Sequence, residues 1–247
     1  MIKSLEKAMI LLQEITKEPQ SLRTLSETLQ VHKSTVLRLL QTLEEFGMVE
    51  RDEELRYRLG SAFYAMAYQA LEGLDLRKVA APVLRDLNAR TNLTVHLAVL
   101  QGDKVVYIDK YEGMQQVQMY SRIGLPVPMS SAGVAKAILA HVPEPVRDAV
   151  LRRIEFNGVT ETSIRSVQRY VEVLEEVRRN GYAVDRGELE PFIHCVAMPI
   201  LSMDGAPVGA VSITATTSSH TFEQLTALLP DLAQATRTIS RTLGGEA

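Results

Sequence analysis

Val31-His32-Lys33-Ser34-Thr35-Val36-Leu37-Arg38-Leu39-Leu40 carries two cationic side chains and no aspartate or glutamate. Val36, Leu39 or Leu40, and Leu43 recur at helical spacing, so the stretch predicts a short helix with one apolar face. The Ser34 hydroxyl is expected to satisfy a free amide at its start, and Phe46-Gly47 to end it. Lys33, Ser34, Thr35 and Arg38 are then left near the helix start, where such a helix presents side chains to base edges and phosphates in a major groove. An acidic residue there would face phosphate charge, and none is present.

Upstream, Leu5, Ala8, Met9, Leu12 and Ile15 repeat at helical spacing until Glu18-Pro19. Ser21 can cap a second helix with Leu22, Leu25 and Leu29 as its buried stripe. Two short helices joined by about four residues make a helix-turn-helix. Downstream, Met48–Arg51 and Leu55–Leu59 alternate apolar and polar residues around Asp52-Glu53-Glu54, as a hairpin would. Residues 1–60 therefore read as a winged helix-turn-helix. Arg51, Arg56 and Arg58 would lie on its wing beside the phosphate backbone or minor groove. A helical bundle with a hairpin, used for dimerisation or for holding a protein partner, is the alternative; the acid-free helix followed by a basic hairpin favours double-stranded DNA.

The remaining composition restricts where such contact can occur. The 247-residue chain has a net charge of −3, and residues 1–60 contain nine Lys/Arg against ten Asp/Glu, so any DNA contact is local. Length and a 46% apolar content allow two domains, each with its own core. Cys195 is the single cysteine, which rules out an intrachain disulfide. With no secretory leader and no long apolar run, the reading is cytoplasmic with no membrane role. Five histidines lack metal-ligand spacing, so neither a metal nor a cofactor is expected.

Residues 61–74, with Phe63, Met66, Ala67 and Ala70 at helical spacing, read as a linker helix whose apolar face would be buried against another chain in a homo-dimer. Residues 75–247 then alternate helices with hairpins. Helices are expected from Asp75, over Ser131–His141, Arg147–Ile154 and Val167–Arg179, and as one long helix from Phe222 to Ile239. Strands are expected over Thr94–Leu100, Val105–Lys110, Val117–Ser121, Ile193–Leu201 and Val208–Thr214, with turns at Gly102 and Asp204-Gly205. This is an α+β domain around a largely antiparallel sheet.

At this point the chain resembles the IclR family over nearly its whole length. Thr24-Leu25-Ser26-Glu27 through Leu40 carries the N-terminal resemblance. Gly124-Leu125-Pro126-Val127-Pro128 with Ser131–Ala137, Arg178–Asp185 with Glu188, Cys195–Ile200 and Ala210–Ile213 carry the C-terminal one. Met119–Gly124 is similar to the regulators of sugar-acid breakdown, of ketodeoxygluconate type, within the family. Gln30 stands where the family often has glycine, and Gly187 where it usually has an acidic residue.

The resemblance implies a GAF-like α/β effector domain and an operator-binding regulator, a dimer or tetramer. Its effector would be a small sugar acid, keto acid or aromatic acid. By position, Met119, Gly133, Val134, Asp185, Ile193, Cys195, Ser212 and Thr214 would line the pocket. Amides at the start of the Ala132–Ala140 helix would hold the carboxylate, and Ser212, Thr214 and Asp185 the hydroxyl or carbonyl groups. The rival reading is a small-molecule hydrolase using Cys195, His194 and Asp185, with an N-terminal interaction module. Adjacent residues of a strand point to opposite faces, which separates His194 from Cys195.

Overall fold

The computed structural model describes residues 2–72, 75–114 and 121–244. They divide into two compact units, Met1–Gly73 and Leu74–Ala247.

In the first unit, helices α1 (Lys3–Lys17), α2 (Leu22–Leu29) and α3 (Lys33–Glu45) are followed by strands β1 (Val49–Arg51) and β2 (Tyr57–Leu59) and helix α4 (Ala62–Glu72). Leu11, Leu12, Ile15, Leu25, Val36, Leu40 and Leu43 supply one stripe from each of the first three helices, and Val49 and Tyr57 close the core from the hairpin. Ser21 caps α2 by accepting the Thr24 amide at 3.1 Å. The helix stops at Gln30, whose φ of 52° is left-handed, and the Ser26 hydroxyl donates to the Val31 carbonyl at 2.6 Å to hold the turn. A non-glycine residue in this conformation costs about 1–2 kcal/mol.

Two expectations change here. The cap of α3 is His32, whose Nδ1 accepts the Ser34 amide at 3.3 Å, while Ser34 lies inside the helix. The wing strands are shorter than their alternating patterns because the Asp52 carboxylate accepts the amides of Glu54 and Arg56 and starts the turn early.

The second unit begins with α5 (Asp75–Thr91), β3 (Thr94–Gln101), β4 (Lys104–Tyr111), α6 (Gly133–Leu139), α7 (Glu144–Leu151) and α8 (Val167–Asn180). It ends with β5 (Ala183–Arg186), β6 (Ile193–Leu201), β7 (Pro207–Thr216), α9 (Phe222–Thr226) and α10 (Leu229–Thr242). The five strands form one sheet in the order β4-β3-β7-β6-β5, with every neighbouring pair antiparallel. Side-chain alternation sorts the sheet into two faces. Val95, Leu97, Val196, Val211 and Ile213 pack with α5 and α10, while Ala98, Cys195, Ala197 and Ala210 pack with α6 and α8.

The expected terminal helix is two helices. Pro230 in the first turn of α10 has no amide to donate to residue 226, so a continuous helix would break there. The Ser131–His141 helix contracts to the seven residues of α6. Strand β5 was not read from the sequence. Of the strand expected over Val117–Ser121, residues 117–120 lie outside the described residues, and Ser121 is in no strand.

Candidate nucleic-acid interface and ligand cavity

On α3, Lys33, Ser34, Thr35 and Arg38 are exposed, whereas Val36 and Leu40 point into the core. The first turn of α3 has no acidic residue, and among the described residues neither Lys33 nor Arg38 is paired with a carboxylate. The wing differs. Arg56 pairs with Asp52 and Glu54, both at 3.0 Å, and Arg58 with Glu50, its cross-strand neighbour, at 2.8 Å. The Arg51 guanidinium lies 5.0 Å from the centre of the Tyr57 ring. The α3 cations are therefore free of carboxylates, whereas Arg56 and Arg58 also serve to hold their own hairpin.

The second unit contains a small cavity of about 60 Å³, partly open to solvent, between the sheet and α6. Gly133, Val134, Asp185, Ile193, Cys195, Ser212 and Thr214 all line it, together with Ser131 and with His96, Tyr107, Ser121 and Glu190, which sequence reasoning missed. Met119 lies outside the described residues. Strand alternation accounts for the convergence: Asp185 pairs with Cys195, Cys195 with Thr214, and Ser212 with His96, all on one sheet face. A bulge in β4 at Ile108 resets the register, so that Ala98 faces Tyr107, whose ring lies 5.0 Å from that of His96.

His96 is held by hydroxyls: Nε2 is 2.8 Å from Ser121 Oγ, and Nδ1 is 3.3 Å from Ser212 Oγ. Burial, with a smaller push from Lys110, lowers its pKa to about 3, so the ring is neutral. Ser131 Oγ is buried without a partner among the described residues, and the Ala132 side chain at the N-cap of α6 cannot accept the first amides. Gly133 permits the close approach, since a Cβ there would lie 3.1 Å from both Cys195 Sγ and Ala197 Cβ.

Behind the cavity, Lys136 is fully buried and donates to Glu188 at 2.5 Å and to the Val184 carbonyl at 2.7 Å. Burial raises the Glu188 carboxyl against the opposing pull of Lys136. The Glu188 amide donates to Asp185 at 2.8 Å, and Thr160 and Thr162 donate to the Gly187 carbonyl. Gly187 has φ 80° and its missing Cβ would sit 3.0 Å from the Pro191 carbonyl, so this turn has no room for the usual acidic residue.

The hydrolase geometry does not form. Burial pushes the Cys195 thiol up to about 12, leaving no thiolate at neutral pH. His194 sits on the opposite sheet face, its ring 5.7 Å from that of Phe222.

A winged helix-turn-helix with a cationic helix, carried in one chain with an antiparallel sheet that encloses a small-molecule cavity, defines a DNA-binding regulator. Residues 4–53 match the IclR helix-turn-helix domain, and residues 68–241 the bacterial transcriptional regulator IclR C-terminal domain. The chain belongs to the IclR family of bacterial transcriptional regulators, which are not enzymes. It is 32% identical to the HTH-type transcriptional regulator KdgR of Escherichia coli over 98% of this chain and 93% of that protein. XynR of the same organism is 30% identical over 98% of each chain. The crystal structure of the Thermotoga maritima IclR superposes with a TM-score of 0.84 at 34% identity, covering 99% of this chain and 100% of that one.

Proposed function

We propose that residues 1–60 bind duplex operator DNA through Lys33, Ser34, Thr35 and Arg38, and that a small organic acid in the cavity of residues 75–247 alters that affinity. Residues 61–74 link the two. The observation that carries the reading is the contrast within the first unit: both α3 cations are free of carboxylates, while two of the three wing arginines, Arg56 and Arg58, are held by them. Arg51, Arg56 and Arg58 accordingly take a positioning role on the backbone. Met119, Gly133, Val134, Asp185, Ile193, Cys195, Ser212 and Thr214 form the proposed effector set, joined by His96, Ser131 and Glu190. The effector carboxylate would approach Ser131 and the first amides of α6, with its hydroxyl or carbonyl groups toward Ser212, Thr214 and Asp185. The resemblance of Met119–Gly124 to regulators of sugar-acid breakdown supports a sugar acid over keto or aromatic acids.

Leu5 and Met9 on α1 and Tyr64 and Met66 on α4 are exposed apolar residues, which supports a homo-dimer, or a dimer of dimers, on a palindromic site. No described helix is long and apolar enough to cross a membrane, which accords with a cytoplasmic regulator. Effector binding would shift the population between states of different operator affinity. Fluorescence anisotropy against the intergenic duplex upstream of its own gene tests this. The expected result is at least tenfold tighter binding than to scrambled DNA, weakening steeply with salt. Equal affinity for the two duplexes contradicts the proposal.

A further inference from the structure

The cavity is short of positive charge. Asp185 and Glu190 both line it, and among the described residues no lysine or arginine does. The nearest cations are held by carboxylates of their own: Lys136 by Glu188, and Lys110 by Glu112 at 2.9 Å and by the Ser121 carbonyl at 3.1 Å. Asp185 is buried and Glu190 half-buried, and burial followed by the neighbouring Asp185 raises the Glu190 carboxyl. The Tyr107 hydroxyl is raised by burial and then by Cys195, Asp185 and Glu190, which brings all three to the same part of the cavity.

The remaining lining is neutral and rich in hydroxyls. Ser131 Oγ is the orphan: 4% exposed as a residue, buried at the atom, and without a partner among the described residues although the residue lines the cavity. An isolated buried hydroxyl is costly unless a ligand completes it. One carboxylate can be received by neutral donors such as this. A second carboxylate would face Asp185 and Glu190, and like charges within a few ångströms in a partly desolvated site repel by well over a tenfold factor in affinity. Ligand hydroxyls, by contrast, donate readily to carboxylates.

We propose that Glu190, together with Asp185, acts as a charge filter, so that the cavity admits a hydroxyl-bearing acid with one carboxylate and turns away its dicarboxylate counterpart. This rests on the effector reading above and adds to it a ligand class and the residue that selects it.

Isothermal titration calorimetry on the full-length protein at pH 7.5 and fixed ionic strength would use pairs matched in skeleton: D-gluconate with D-glucarate, glycerate with tartronate, and 4-(hydroxymethyl)benzoate with terephthalate. At least one monocarboxylate is expected to bind, with its dicarboxylate partner at least tenfold weaker. Glu190→Gln should shrink that ratio several-fold, and Glu190→Asp, which keeps the charge, should preserve it; a melting temperature within a few degrees of the parent confirms that each variant is folded. A dicarboxylate binding as tightly as its partner, or a ratio unchanged in Glu190→Gln, overturns the filter and leaves the effector site standing. If no acid of either charge binds while operator affinity is intact, the effector reading falls and the filter with it.

Discussion

His96 shows how a single side chain in the cavity wall ties pH to stability. Its imidazole titrates near 6.5 in an unfolded chain and near 3 when buried here. The folded state therefore refuses a proton that the unfolded state accepts. The contribution is fully present above pH 6.5 and is lost as pH falls toward 3. Between pH 7 and pH 4.5 this one residue should cost about 2–3 kcal/mol. Urea unfolding at the two pH values checks it: His96→Gln should flatten the dependence by that amount, and parallel slopes for parent and variant would contradict it.

Little at this scale was legible in the sequence. The spacing of the histidines carries no signal for His96, whereas its place on the same strand face as Thr94 and Ala98 does. Lys136 offered a plainer signal, as the only ionisable residue in a helix of small and apolar residues. Gln30 hid its left-handed conformation because nothing in its side chain announces it.

At the scale of elements, α3 and the wing divide the positive charge differently, and salt dependence separates them. Each phosphate neutralised by a free cation contributes about one unit to the slope of log affinity against log salt. Lys33→Ala should reduce the slope by about one, since Lys33 is unpaired. Arg58→Ala should change it by less than half as much, because Glu50 already neutralises that side chain. Equal losses would mean that the wing ion pairs open on DNA.

Elements with strong punctuation were readable. The hairpin turn at Gly102 has φ 62° and that at Gly205 φ 77°, as their glycines imply, and Gly181 ends α8 in a left-handed cap. Strand β5 escaped because four residues are too few to show a period. The β4 bulge escaped because register is set by pairing with β3, which leaves no trace in β4 alone. Seven of the eight pocket positions transferred from related sequences do line one cavity, but its two carboxylates become neighbours only once the turn at Gly187 folds back.

For the whole molecule, a net charge of −3 excludes bulk attraction to nucleic acid. The proposed recognition then rests on a small cationic surface on an otherwise acidic chain, and the proposal is most exposed at Arg38 on α3. The decisive measurement is the anisotropy titration of upstream intergenic duplex with the parent and with Arg38→Glu. Arg38 is exposed, so the variant should fold with unchanged melting temperature while operator affinity falls at least a hundredfold, through loss of one phosphate or base contact and gain of a repelling charge. An Arg38→Glu protein that binds the duplex as tightly as the parent would contradict the account.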